Sequence, residues 1–350
     1  MLKKLLLIIM CLCLALAVGC KKEPEVISVN SEEDVSSEPE VIVAEPEYAV
    51  NPLTGVKDLA LDKSGDRPVA ITVNNISVAQ PVQTGLNKAD IIYETEVEGG
   101  ITRLVAVYQD VSKVEKIGTV RSARYAFIDL AKGHNAIYVH HGQDSYHAGP
   151  HLNDVPRLVL STKNAGVRIS NGLASEHTLY AYGDKLWNAI KNQGITTTNS
   201  NPASWQTFAD EATPVILPNA ANSVSVSFSN AYKTTFNYDA ATGKYVRFFN
   251  GTERKDYYTK DSLYFKNVFV LNTTIRSYPN CTDGKGHKEV MLSSGNGYYC
   301  VNGTYTPIQW SKGAAANKFT FTNADGSALT VNPGNSWVCI AGMSSSAVFG

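Results

Sequence analysis

From Asn222 onward the chain has no stretch of helical period, and tight-turn dipeptides recur between alternating apolar runs. Val224, Val226 and Phe228 alternate with serines, and Tyr245 to Phe249 and Tyr298 to Val301 are dense in aromatic and β-branched residues. Asn250-Gly251, Asn302-Gly303 and Asp325-Gly326 lie between such runs. Asn, Asp and Gly tolerate the positive φ that a two-residue hairpin turn requires. Residues 218–342 therefore read as an all-β domain, a sandwich or small barrel. No sequence repeat is visible in them.

Residues 53–205 read differently. Pro68 to Val73 is a short β-rich run, and Asp90 to Glu98 alternates, with Ile91, Tyr93, Thr95 and Val97 opposite Glu94, Glu96 and Glu98. Gly99-Gly100 is expected to make a two-residue turn into a return strand, Ile101 to Gln109. Ser122 to Lys132 has helical spacing, with Ser122 as the expected N-cap, and residues 179–193 read as a second helix that Gly194 stops. A strand is expected at Ala136 to His140. Residues 195–218 are rich in Thr, Asn and Pro and form the expected boundary. The fold class is thus α+β: a mixed α/β N-terminal domain followed by an all-β C-terminal domain.

The first residues address the chain. Lys3 and Lys4 precede an unbroken apolar run from Leu5 to Val18, and Ala17-Val18-Gly19-Cys20 follows the pattern of a bacterial lipobox, with Ala17 where Leu is usual. Such a run is too short to span a bilayer, and a positive start with small residues at the cut marks a secretory signal, residues 1–19. Cys20 is the expected lipidation site, and acyl chains there would hold the protein to the extracytoplasmic face of the membrane. Residues 20–52 read as a tether: Glu23 to Glu47 contains nine acids and no Lys or Arg, a composition that stays extended.

Beyond residue 47 the chain holds 27 Lys and Arg against 23 Asp and Glu. This mild positive balance does not argue for nucleic acid. Three cysteines follow the signal and Cys20, namely Cys281, Cys300 and Cys339, of which Cys281 and Cys300 are the pair expected if any bridge forms.

Several segments together carry a resemblance. Pro68 to Asn75, Ala89 to Glu94, Glu98 to Arg103 and Gly118 to Arg124 in the first half, with Tyr245 to Gly251, Gly295 to Gly303 and Leu329 to Trp337 in the second, resemble the YerB-like lipoproteins, a bacterial envelope family of two adjacent domains of unknown function. The resemblance spans almost all of residues 55–340. It implies a lipoprotein with a two-domain body, and it implies no established activity or cofactor.

Function therefore has to be argued from residues. The chain contains no Gly-x-Ser-x-Gly, Ser-x-x-Lys, His-Glu-x-x-His, P-loop or dinucleotide fingerprint. His141-Gly142 with Ser170-Asn171-Gly172-Leu173 faintly resembles an L,D-transpeptidase arrangement, but Leu173 stands where the nucleophilic Cys belongs. His134, His140, His141, His147 and His151 cluster in sequence without the spacing of a metal site, so packing or local hydrogen bonding is the plainer reading. The stronger candidates are charged. With a two-residue turn, Glu96 faces Arg103, flanked by Glu94 and Glu98. Arg121, Ser122 and Arg124 sit where a helix begins, a setting that suits an anion. The competing reading is internal, with the arginines bracing those glutamates.

The expectation is a membrane-tethered, non-catalytic protein with a recognition surface made from Arg103, Arg121, Ser122, Arg124, Glu94, Glu96 and Glu98. Its partners would be anionic wall polymer or the proteins of wall synthesis, with no metal or cofactor. The alternative is a wall-modifying enzyme, with Glu94, Glu96 and Glu98 as acid–base groups of a glycan hydrolase, or less readily a transpeptidase-like enzyme.

Overall fold

The computed structural model describes residues 47–200, 202–279, 281, 284–345 and 347–350. The signal, Cys20 and nearly all of the tether lie outside these residues. The chain is mostly β, with two α-helices among the described residues.

Three runs of the first half build the middle of one sheet: β1 (Val69–Asn74), β2 (Ile91–Glu96) and β3 (Thr102–Tyr108). Helix α1 (Tyr125–Gly133) then leads to β4 (Ile137–His140) and β5 (Arg157–Val159), which extend the sheet in parallel beyond β1. A small separate sheet contains β6 (Gly166–Arg168) and β7 (Leu179–Ala181), and helix α2 (Gly183–Asn192) follows. The long helix expected over 179–193 is thus divided. Leu179 to Ala181 pair with Gly166 to Arg168, and Gly183 opens the helix because any Cβ there would meet the Val111 and Val114 carbonyl oxygens.

The second half supplies β8 (Ser223–Ser229), β9 (Tyr232–Asp239) and β10 (Lys244–Phe249), the centre of an antiparallel sheet that is six-stranded among the described residues. It then supplies β11 (Asn267–Thr273), the short hairpin β12 (Ile275–Ser277) and β13 (Lys288–Val290), then β14 (Ser294–Val301), β15 (Thr304–Ser311) and β16 (Ser336–Gly342). Asn250-Gly251 and Asn302-Gly303 make the two-residue turns expected of them, each residue at positive φ.

Strands from both halves form one sheet, eleven-stranded among the described residues. Strand β16 joins them: it runs parallel to β11 on one side and parallel to β2 on the other, with Trp337 beside Ile92 and Ile340 beside Thr95. Both faces of this ladder are covered, which is why β2 and β16 carry apolar residues at successive positions rather than at alternate ones. One face, with Ile71, Ile92, Leu104, Val270 and Trp337, packs on the six-stranded sheet and α2. The other, with Tyr93, Val105, Phe269 and Val338, packs on α1 and on Trp205, Phe319 and Phe321.

Two local expectations are corrected. Residues 98–100 form a three-residue turn closed by Val97 N–H to Ile101 O, so Arg103 stands opposite Thr95 and not Glu96. Helix α1 starts at Tyr125 with Arg124 at its N-cap, so Ser122 does not cap it. Cys300 and Cys339 are free thiols. Cys300 is buried near the end of β14, whereas Cys281 sits in the β12–β13 loop, so their sequence proximity does not bring them together.

Candidate functional site

The three glutamates have three different environments. Glu94 points into the core beneath β2 and is completely buried. Its Oε1 accepts from Asn75 Nδ2 at 2.9 Å and Thr102 Oγ1 at 2.8 Å, and its Oε2 from Thr234 Oγ1 at 3.0 Å and Trp337 Nε1 at 3.2 Å. Arg247, also fully buried, lies 4.0 Å from Oε1 and stacks over Trp337. Burial pushes Arg247 down to about 10, with the Glu94 charge opposing. This is a buried ion pair with its lone pairs satisfied, built from both halves of the chain. Glu96 pairs instead with Lys288 at 3.1 Å.

Glu98 projects toward the other side, where two guanidiniums meet it. Arg124 binds it through both Nε, at 2.8 Å from Oε2, and Nη2, while Arg103 Nη2 reaches Oε1 at 3.1 Å. Burial alone would raise the Glu98 carboxyl, but the Arg124 hydrogen bond and both positive charges outweigh it and hold Glu98 at about 2. The remaining Arg124 nitrogen donates to Ala123 O at 2.8 Å, and Arg103 Nη1 to Ser122 O at 3.1 Å. The hairpin β12–β13 closes over this cluster. The His287 ring lies 3.6 Å from Glu98 Oε2 and 3.8 Å from Asp144 Oδ1, and Tyr278 stacks on His147, whose Nδ1 is 3.0 Å from Asp144 Oδ2. Glu94 is thus sealed in the core and Glu98 is neutralised by two guanidiniums. Neither has the open geometry of a glycan-cleaving carboxylate.

The histidines disperse. His134 meets the Tyr93 hydroxyl at 2.7 Å, His140 the Gly142 carbonyl at 2.8 Å, and His151 the Asp154 carboxylate. Among the described residues no group of three or more His, Cys, Asp or Glu is arranged to hold a metal ion. Cys300 and Cys339 are buried, which pushes both thiols up and away from the thiolate form a transpeptidase needs.

Arg121 is placed differently from its neighbours. It lies where the chain passes the carboxyl ends of β1 and β4: its N–H donates to Thr72 O, and its carbonyl accepts from His141 N–H. Its Nη1 donates to Glu176 O at 3.3 Å in the turn Ser175–His177. Arg168 at the end of β6 grips the same turn, donating to the Ser175 carbonyl and to Thr178 Oγ1, and its Nη2 stands 3.3 Å from His141 Nε2. His141 Nδ1 donates to Leu160 O at 2.8 Å, which leaves Nε2 as the acceptor from Arg168. His177 Nδ1 accepts from Asn74 Nδ2 at 2.8 Å, and its Nε2 lies 3.2 Å from Glu176. Arg121, Arg168 and His141 therefore converge on one partly exposed surface whose nearby carboxylate is Glu176. Arg168 carried no motif in the sequence; its signal was only an arginine at a short β-rich run after Gly166.

The comparisons with known proteins agree with this architecture. Residues 53–196 match the family described as "Protein of unknown function (DUF3048) N-terminal domain", and residues 224–338 match its C-terminal domain. "Putative lipoprotein YerB" of Bacillus subtilis (strain 168) is 29% identical over 307 residues, 83% of this chain and 85% of that protein. The crystal structure of YerB protein from Bacillus subtilis superposes with a TM-score of 0.73 at 26% identity, covering 86% of this chain and 99% of that one. The chain belongs to the YerB-like family, defined by this pair of domains of unknown function.

Proposed function

We propose that this protein is a non-catalytic lipoprotein, anchored through Cys20 to the extracytoplasmic face of the membrane, whose Arg121–Arg168 surface binds an anionic polymer of the cell wall. The observation that carries the reading is the convergence of Arg121 and Arg168 on the Ser175–His177 turn, beside His141. Arg103 and Arg124 are tied to Glu98 and to backbone carbonyls, and the remaining Arg103 Nε is buried away from any ligand. Arg121 Nη2 has no such commitment among the described residues. Guanidiniums held by backbone carbonyls are oriented without being neutralised, which suits bidentate capture of phosphate or carboxylate. The relative's name as a lipoprotein and the lipobox at Cys20 support the anchor. The sealed position of Glu94 and the ion pairs of Glu96 and Glu98 support a binding role over a hydrolytic one.

Sedimentation with purified cell wall tests this. The charge-reversed variant Arg121→Glu/Arg168→Glu is expected to lose at least ~tenfold in wall retention, which is about 1.4 kcal/mol, with an unchanged circular dichroism spectrum. Retention equal to wild type by a folded variant would refute the assignment, and loss of retention only in extracts containing wall-synthesis proteins would redirect it to a protein partner.

A further inference from the structure

A cavity of about 550 Å³ opens beside the C-terminal end of α1, next to Pro68 and Asn135 where β1 and β4 begin. Its volume is within the range of small-molecule sites. Among the described residues three lysines line it, Lys132, Lys312 and Lys318, and no Asp or Glu does. Clustered ammonium groups without lining carboxylates repel one another, so the arrangement favours an anion between them.

The lysines are not equivalent. Lys312 is buried, donates to the Ala314 and Ala315 carbonyls at 3.4 and 2.5 Å, and packs against Gly133, where a Cβ would lie 3.4 Å from its Nζ. One of its three ammonium hydrogens remains for a ligand. Burial, with Lys132 as a like-charged neighbour and Asp129 opposing, lowers this ammonium to about 8. Lys318 donates to Ser204 O at 2.7 Å. Lys132, in the last turn of α1, has no hydrogen bond or ion pair among the described residues.

The rest of the lining is suited to hydroxyl groups. The carboxamides of Gln109, Asn135 and Asn317 border the cavity; that of Asn135 is already engaged, its Oδ1 accepting from Arg67 Nη2 and its Nδ2 donating to Asn199 Oδ1 at 3.1 Å. Gln109 Nε2 is held by Asp66 O at 2.9 Å, which leaves its Oε1 as an acceptor. Leu53, Pro68 and Trp205 give the cavity an apolar wall. A cationic end, the carboxamides of Gln109 and Asn317 and the apolar residues beside them match a ring that has an apolar face, hydroxyls and a negative charge.

We propose that this cavity binds an anionic sugar, a pyranose bearing a carboxylate or a phosphate, with the oxyanion between Lys132 and Lys312 and the hydroxyls on Gln109 and Asn317. The site goes beyond the wall-polymer surface at Arg121 and Arg168 and does not depend on it.

Isothermal titration of the full-length chain in detergent micelles with glucuronate, glucose 6-phosphate and neutral N-acetylglucosamine tests it. At least one anionic sugar is expected to bind ~tenfold or more tightly than the neutral one, and the better of the two identifies the charge. Lys132→Glu is expected to weaken that binding at least ~tenfold, about 1.4 kcal/mol, while leaving wall retention through Arg121 and Arg168 intact. Arg121→Glu/Arg168→Glu should leave sugar binding unchanged, so the two sites fail separately. Equal affinity for the neutral sugar, unchanged binding by folded Lys132→Glu, or no binding of either anionic probe at millimolar concentration would overturn the proposal.

Discussion

Replacing Glu98 by Gln removes the one negative charge that Arg103 and Arg124 share. The side chains involved are largely out of water, 18% exposed for Glu98, 3% for Arg103 and 11% for Arg124. Breaking a buried pair by removing one partner costs roughly 3–5 kcal/mol, because the other charge is stranded. The protonation equilibrium gives a similar figure. Holding Glu98 at about 2 instead of its ordinary 4.5 corresponds to about 3 kcal/mol at neutral pH. With about 2 cal/mol/K of unfolding entropy per residue and about 300 folded residues, such a loss lowers Tm by roughly 5–8 °C. The pH dependence has a definite sign. A carboxyl depressed in the folded state contributes its full stability above the unfolded value near 4.5 and loses it as pH falls through about 2. Protonated Glu98 resembles Gln, so the Tm difference between wild type and Glu98→Gln should be largest at pH 7, and more than half of the free-energy difference should be gone by about pH 3. Circular dichroism melts at both pH values measure it. A Tm within 1–2 °C of wild type at pH 7 (about 1 kcal/mol or less), or a gap that persists unchanged at pH 3, would refute the brace.

Two further outcomes are expected. Separating the chain between residues 205 and 218 should leave neither piece with a cooperative melt, because it strips β16 from β2 and parts Glu94 from Arg247; mixing the pieces should restore the transition, and a cooperatively melting 218–350 fragment would count against the shared sheet. Cys20→Ala should release the protein from the membrane or leave its signal uncleaved, as read by lipid labelling and fractionation, and a processed, lipid-labelled product would sink the anchor.

The β-rich second half was legible because its information is local. Asn250-Gly251 and Asn302-Gly303 state their turns in two residues, and Val224, Val226 and Phe228 state their face by alternation. The central sheet was not legible, because its pairing is remote. Strand β16 joins β2 across more than two hundred residues, and both strands are buried on two faces. That burial erases the alternation that would mark a strand's inner face. Trp337 and Arg247 read as ordinary β residues in the sequence, and only the fold sets them against Glu94.

The charged residues show the same limit at finer scale. Glu94, Glu98, Arg103, Arg121 and Arg124 were recognisable as a group, but their roles depended on one residue of register. A two-residue turn would have set Arg103 across from Glu96. The three-residue turn at Glu98 to Gly100 moves it opposite Thr95, and its side chain reaches Glu98 instead. Arg124, at the N-cap of α1, then finds that same carboxylate, which commits its Nε and Nη2 to an internal contact. Arg121, three residues earlier, falls on the other side of the strand-to-helix passage, where the Glu176 carbonyl meets its Nη1. Two arginines of one motif thus part ways because the chain turns between them: one is committed to Glu98, and the other stays at the surface.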